Sequence, residues 1–198
     1  MAKPTGITRE MVVDACQALV EEGDYRSLTM RQVASKLKCS ASTLYHHFRN
    51  RDDLLTALLD QVAIAIVHPE KKEDPREEVA GLFIVLRRVF LKDPWIIPII
   101  LPGDRGSVHI LPLVERIFLA LGSLSADQGS VMRTYRCLLR YTYGDVLTVP
   151  AEAEVQAQFG HDKPHLPKLD DYNAIKRAAE RFGEDDYEAN LRAILNAI

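Results

Sequence analysis

Thr29, Ser40 and Asn50 are all strong helix-capping residues, and they stand so close together that the chain between them can form only short helices. Gln32 follows Thr29 by three positions, the capping-box spacing that satisfies otherwise unpaired amides at a helix start. Lys38 and Cys39 leave room for a tight turn before Ser40, and Asp52 and Asp53 fall in the positive first turn after Asn50. The window 29–51, TMRQVASKLKCSASTLYHHFRNR, therefore reads as two short helices joined by a tight turn and handed directly to a third helix. Val33, Ala34 and Leu37 are expected to face the core from the first of these, and Leu44 and Phe48 from the second, which should end near His47.

The rest of the chain obeys the same rule: apolar residues recur at helical spacing, and strand-like alternation is missing. Thr8 caps a predicted helix over 8–22, with Met11, Ala15 and Leu19 on one face and Gly23 as the stop. The helix after Asn50 carries Leu54, Leu55, Leu58, Leu59, Val62 and Ile66, and Pro69 sets its end near 67. A charged stretch, PEKKEDP over 69–75, separates it from a helix over 76–92 with Val79, Leu82, Phe83, Leu86 and Phe90 on its apolar side. Pro98 should make 95–101 a short or distorted helix, and PGDRGS a loop. Helices are expected over 108–121, 126–149, 172–182 and 185–197, with a proline-bearing loop over 150–167. The fold class is all-α, without an internal repeat.

Composition bounds the partners. The chain has 25 Lys and Arg against 28 Asp and Glu, yet between Asp24 and Asp52 no acid occurs, while Arg26, Arg31, Lys36, Lys38, Arg49 and Arg51 are basic. A one-signed stretch inside a mildly acidic chain is the local field that a polyphosphate attracts. A hydrophobic content of 47% argues against disorder. No apolar run suits a bilayer span or a secretory leader, and Cys16, Cys39 and Cys137 form no pairing pattern, so a cytoplasmic location with free thiols is expected. Cys39 reads as a small buried hydrophobe.

Two short helices around a tight turn, the first crossing a DNA backbone and the second entering the major groove, constitute helix-turn-helix geometry. Ser40, Ala41, Ser42 and Thr43 form the leading end of the second helix; their small size allows close approach, their hydroxyls suit phosphate oxygens, and the alanine and threonine methyls suit thymine. Tyr45 and His47 follow with hydrogen-bonding tips. Arg31 is the one side chain here able to bond guanine in two places, and Arg51 suits a phosphate. Phosphate-binding loops, nucleophile elbows and paired-cysteine zinc patterns are missing, so the sequence offers no enzyme chemistry. His161 and His165 are flanked by Pro164 and Pro167, which places them in a loop and not on one helix face.

The segments LTMRQVA, TLYHHF and NRDDLL, within a gapless stretch from about Thr8 to Leu59, resemble the DNA-binding domain of the tetracycline-repressor (TetR) family of bacterial transcription regulators. That resemblance implies a three-helix DNA-binding domain, 1–52, followed by a helical ligand-binding and dimerisation domain, 53–198. By position it implies DNA contacts at Thr29, Arg31, Ala41, Ser42, Thr43, Tyr45, His47 and Arg51. Tetracycline repressors have a base-reading glutamine where this chain has Ala41, which implies a different operator. The stretch YTYGDVLTV and the closing helix are similar to the C-terminal half of tetracycline repressors, implying a homodimer through helices at about 126–149 and 185–197.

The histidine and glutamate that hold magnesium in tetracycline repressors are matched here by Arg140 and Thr148, so neither tetracycline nor a metal is expected, and no cofactor is. Phe83, Leu86, Phe90, Trp95, His109, Phe118, Arg140 and Tyr141 are the residues expected to line a pocket for a mostly apolar inducer. The functional expectation is a ligand-responsive repressor that binds a palindromic operator. An activator, a ligand-independent regulator, or a helical binding module or enzyme without a DNA role are the alternatives.

Overall fold

A computed structural model describes residues 6–23, 25–159 and 186–197, with only the helical backbone of 150–159 described. All regular structure among these residues is helical, and the chain divides into two compact units.

The first unit comprises residues 1–70 and 88–116. It contains α1 (Arg9–Glu22), a 3-10 turn at Tyr25–Ser27, α2 (Met30–Lys36), α3 (Ala41–Tyr45) and α4 (Arg51–Ile64). Thr8, Thr29, Ser40 and Asn50 each accept a backbone N–H at the start of the helix that follows. Helix α1 packs against α4 and α2, and α2 against α3. The core between them is built from Val12, Cys16, Val20, Val33, Leu44, Phe48, Leu54, Leu55 and Leu58.

The buried face of α1 differs from the expected one. Met11 is exposed and Leu19 half-buried, while Val12, Val13, Cys16 and Val20 join Ala15 inside. Both sets repeat at helical spacing, and only the position of the neighbouring helices decides which one faces the core. Leu37 is half-buried, not a full core member.

Helix α2 closes in a Schellman arrangement: Lys38 N–H donates to the Ser35 carbonyl at 3.1 Å and Cys39 N–H to the Ala34 carbonyl at 3.0 Å. Lys38 thereby takes φ of 52°, the left-handed region that glycine occupies at lower cost. Helix α4 ends at Ile64, before the residues next to Pro69. Ile64 and Val67 are 65% and 85% exposed, so burial does not hold a further turn in place.

The remainder of this unit includes the end of α5 (Pro75–Lys92), α6 (Ile96–Ile100), a 3-10 turn at Val108–Ile110 and the start of α7 (Leu111–Leu124). The 3-10 turn packs against α4. Ser107 donates to Asp60 at 2.6 Å, and Arg105 pairs with Asp52 at 3.1 Å, so the PGDRGS loop is tied to α4 at two points.

The second unit comprises residues 71–87 and 117–198. Its elements are the start of α5, the end of α7, α8 (Gln128–Phe159) and α9 (Tyr187–Asn196). Val79, Leu82, Phe83, Ile117, Leu121, Leu138, Val146, Tyr187, Leu191 and Leu195 form its core.

Helix α8 does not stop at 149 as expected; it runs on through Pro150 to Phe159. Proline removes one ladder hydrogen bond, but the sequence after it, AEAEVQAQF, is rich in strong helix formers. The remainder of the expected loop, 160–167, with His161 and His165, and the expected helix over 172–182 lie outside the described residues.

The polar centre of this unit is Tyr187. Its hydroxyl shares a 2.8 Å hydrogen bond with Thr142 and donates to the Phe83 carbonyl at 3.4 Å. Tyr141 stacks on its ring at 5.2 Å between centroids, and the Arg87 guanidinium lies 4.6 Å from that ring. Arg87 is paired in turn with Asp145 at 2.6 Å. Burial is the first cause that raises the Tyr187 phenol to about 12. The end of α9 is held by Arg76, which donates to the Leu195 carbonyl at 3.1 Å, and by Arg192 on Glu77 at 3.1 Å.

Candidate nucleic-acid interface

Leu44 and Phe48 bury one side of α3, and this turns Ser42, Tyr45 and His46 to the opposite side, while Ala41, three residues before Leu44, stays near the buried side. Ser42, Tyr45 and His46 are exposed there, Tyr45 at 55%, while Ala41 is half-buried. His47 is half-buried, so of the two adjacent histidines it is His46 that stands on the outer stripe.

The hydroxyl residues divide into two kinds. The Thr29 hydroxyl accepts Gln32 N–H at 3.2 Å, and Gln32 Oε1 accepts the Thr29 backbone N–H at 2.7 Å, closing the capping box. Ser40 accepts Thr43 N–H at 3.2 Å, and the two side-chain hydroxyls are 2.9 Å apart. These three groups shape the helices from within. Ser42 is exposed, without such a partner.

The six cations of the acid-free stretch also divide. Lys36 is bound to Glu22 at 2.8 Å, and Arg49 lies 3.8 Å from Asp53 with its side chain 90% exposed. Arg51 hydrogen-bonds the Tyr25 carbonyl through Nη2, and its guanidinium lies 5.8 Å from the Tyr25 ring. Arg26 sits 5.2 Å from that same ring. Arg31 and Lys38 are exposed and make no ion pair among the described residues. The stretch without acids in sequence therefore meets acids in space, at Lys36, Arg49 and Arg51, while Arg31 on α2 and Lys38 in the turn after it stay exposed.

Arg9 was not among the residues selected from sequence. It donates from Nη1 to the His47 carbonyl at 2.9 Å and lies 4.2 Å from the Phe48 ring centroid.

Of the residues expected to line an inducer pocket, Phe83, Leu86, Phe118, Arg140 and Tyr141 fall in the second unit and Phe90, Trp95 and His109 in the first. Tyr135 brings Phe83 and Phe118 together, with centroid separations of 6.3 and 4.8 Å, and burial raises its phenol pKa. Its place on the same stretch of α8 as Arg140 and Tyr141 was the available signal. Phe90 and Trp95 are buried, His109 and Arg140 are exposed, and Tyr141 is stacked on Tyr187.

The family model described as bacterial regulatory proteins, tetR family, matches residues 12–58, the stretch that builds α1 to α4. Those residues therefore carry the DNA-binding domain of the TetR family, a family of transcription regulators. An HTH-type transcriptional regulator of Saccharopolyspora erythraea is 27% identical to this chain over 71% of it, and the match covers 60% of that relative's length.

Among solved structures, ActR from Streptomyces coelicolor in complex with actinorhodin has a TM-score of 0.70 at 20% identity, over 98% of this chain and 97% of ActR. BioQ, known also from Mycobacterium smegmatis, has been solved with its natural double-stranded DNA operator; that chain has a TM-score of 0.59 at 24% identity, over 78% of this chain and 93% of BioQ. At these identities the two structures establish the fold. Among the described residues no helix is long and apolar enough to cross a membrane.

Proposed function

We propose that this chain is a ligand-responsive repressor of the TetR family that binds a palindromic operator as a homodimer in the cytoplasm and is released by a small, mostly apolar inducer. The observation that carries the DNA half is the outer stripe of α3, Ser42, Tyr45 and His46, together with the exposed cations Arg31 on α2 and Lys38 in the turn before α3. That stripe is small at its leading end and hydrogen-bonding further along, as a helix docked in a major groove requires. The domain division at residue 52, the DNA contacts listed by position from Thr29 to Arg51, and the inducer pocket around Phe83, Tyr135 and Phe118 belong to this reading.

Within it the arginines have separate roles. Arg31 is unengaged and reads a base, whereas Arg51 couples the start of α4 to the Tyr25 carbonyl and reaches phosphate from that anchored position. For dimerisation, α8 offers exposed Met132 and Leu147, and nothing lies within 4 Å of a Cβ built on Gly144. Support for ligand and DNA partners comes from the solved relatives, ActR with actinorhodin and BioQ with its operator.

The decisive experiment is selection of bound fragments from genomic DNA at low salt, followed by titration of the recovered duplex. A palindrome whose half-sites lie roughly one helical turn apart is expected. Recovery of no palindromic site would sink the reading. On the recovered duplex, Arg31→Ala should cost about 1–3 kcal/mol and relax specificity.

A further inference from the structure

Helix α3 has five residues, less than two turns, and a helix that short has no stable direction of its own. Its start is fixed by Ser40, and Leu44 and Phe48 seat one side. Its last turn contains no basic side chain, although its final carbonyls carry the negative end of the helix dipole.

A cation from 38 residues earlier reaches the chain two residues past that end: Arg9 donates to the His47 carbonyl at 2.9 Å. The carbon of the same guanidinium lies 4.2 Å from the Phe48 ring centroid, and Phe48 is itself only 1% exposed. The two contacts use both properties of a guanidinium, in-plane donors and a weakly hydrated face, which a lysine ammonium does not combine. Arg9 is also the first residue of α1, where a positive charge opposes that helix's own dipole and the acidic Glu10 beside it has the favoured sign. An arginine at this place serves α3 and not α1.

We infer that Arg9 is a positioning residue for DNA recognition: it holds the C-terminal end of α3 against α1 and so sets the direction in which the outer stripe of α3 is presented. The inference rests on the DNA-binding reading above for its functional consequence, but not for the structural one.

The test compares wild type, Arg9→Ala and Arg9→Lys, using the duplex that the wild type selects from a random-sequence pool and a scrambled duplex of the same length. Both variants should lose about tenfold or more on the selected duplex, the size of one charge-assisted hydrogen bond. Binding to the scrambled duplex and its salt slope should stay unchanged. In the free proteins, amide exchange over 41–48 should quicken in both variants while exchange in α4 stays as in wild type.

Wild-type affinity in Arg9→Lys would overturn the inference, since charge alone would then suffice. So would equal losses on both duplexes with a salt slope lower by roughly one, the mark of a direct phosphate contact. Should the wild type select no duplex, the DNA reading fails, and the exchange measurement still decides: unchanged protection over 41–48 in both variants overturns the positioning role, and quickened exchange upholds it.

Discussion

The α2–α3 window and the bundle around Tyr187 both depend on hydrogen-bonded side chains, but their partners lie at opposite ranges along the chain. In the window, Thr29 with Gln32, Ser40 with Thr43 and Asn50 with Asp53 are each three residues apart. In the bundle, Thr142 meets Tyr187 across 45 residues, Arg87 meets Asp145 across 58, and Arg76 reaches Leu195 across 119. A local pair costs little chain entropy and forms wherever its helix forms. A distant pair exists only after the intervening chain has been ordered, so its loss is felt by every element it joins.

The largest expected effect tests that contrast directly. Asp145→Ala removes the carboxylate that meets Arg87 at 2.6 Å in a site where the two side chains are only 13% and 17% exposed. Breaking such a pair should cost about 3 kcal/mol in urea denaturation. A loss no greater than that of removing a cap would erase the distinction between the two regions.

The next effect probes the one feature of the window's underside that depends on burial and not on local pairing. Desolvation raises the Cys16 thiol to about 12, with the Arg51 charge pulling it back. The unfolded thiol ionises near 8.5, so stability is whole below that value and declines as pH rises toward the folded one. From about pH 8 to about pH 10 the wild type should lose about 2 kcal/mol more than Cys16→Ala does, at about 1.4 kcal/mol per pH unit. Parallel pH profiles for the two proteins would show that the thiol is not shielded by the core.

Smaller changes are expected at the local pairs. Ser40→Ala removes the cap of α3 and should cost about 1 kcal/mol by the same denaturation assay. Lys38→Gly should act in the other direction, raising stability by roughly 0.5–1 kcal/mol, because glycine takes the left-handed φ of 52° without Cβ strain. A destabilised Lys38→Gly would mean that the lysine side chain holds the turn, and the window would no longer count as determined by backbone rules alone.

Legibility followed the same division. The caps at Thr8, Thr29, Ser40 and Asn50 were readable because cap and acceptor sit in one turn of chain. The burial of Leu44, Phe48 and Leu54 was readable because helical spacing fixes which residues share a face. Which of two equally periodic faces of α1 turned inward was not, since Val12 and Met11 differ only in what the other helices place beside them. The end of α8 was not legible at Pro150, because a proline costs the helix one ladder hydrogen bond and the strong helix formers after it outweigh that loss.

Within the candidate DNA interface the contact of Arg9 was not legible, because its partner is 38 residues away. The pairing of Lys36 with Glu22 and of Arg51 with Tyr25 was equally hidden. An acid-free run in sequence therefore overstates the free charge that DNA would meet.

By itself the sequence determined the helical class and the capped helix-turn-helix, because caps, turns and periodicity act within a few residues. Only the tertiary structure decided which cations stay unpaired, how α3 is held at its far end, and that Tyr187 gathers Thr142, Tyr141 and Arg87 around it. Those outcomes depend on which distant groups meet at about 3 Å, and a chain acquires such neighbours only by folding.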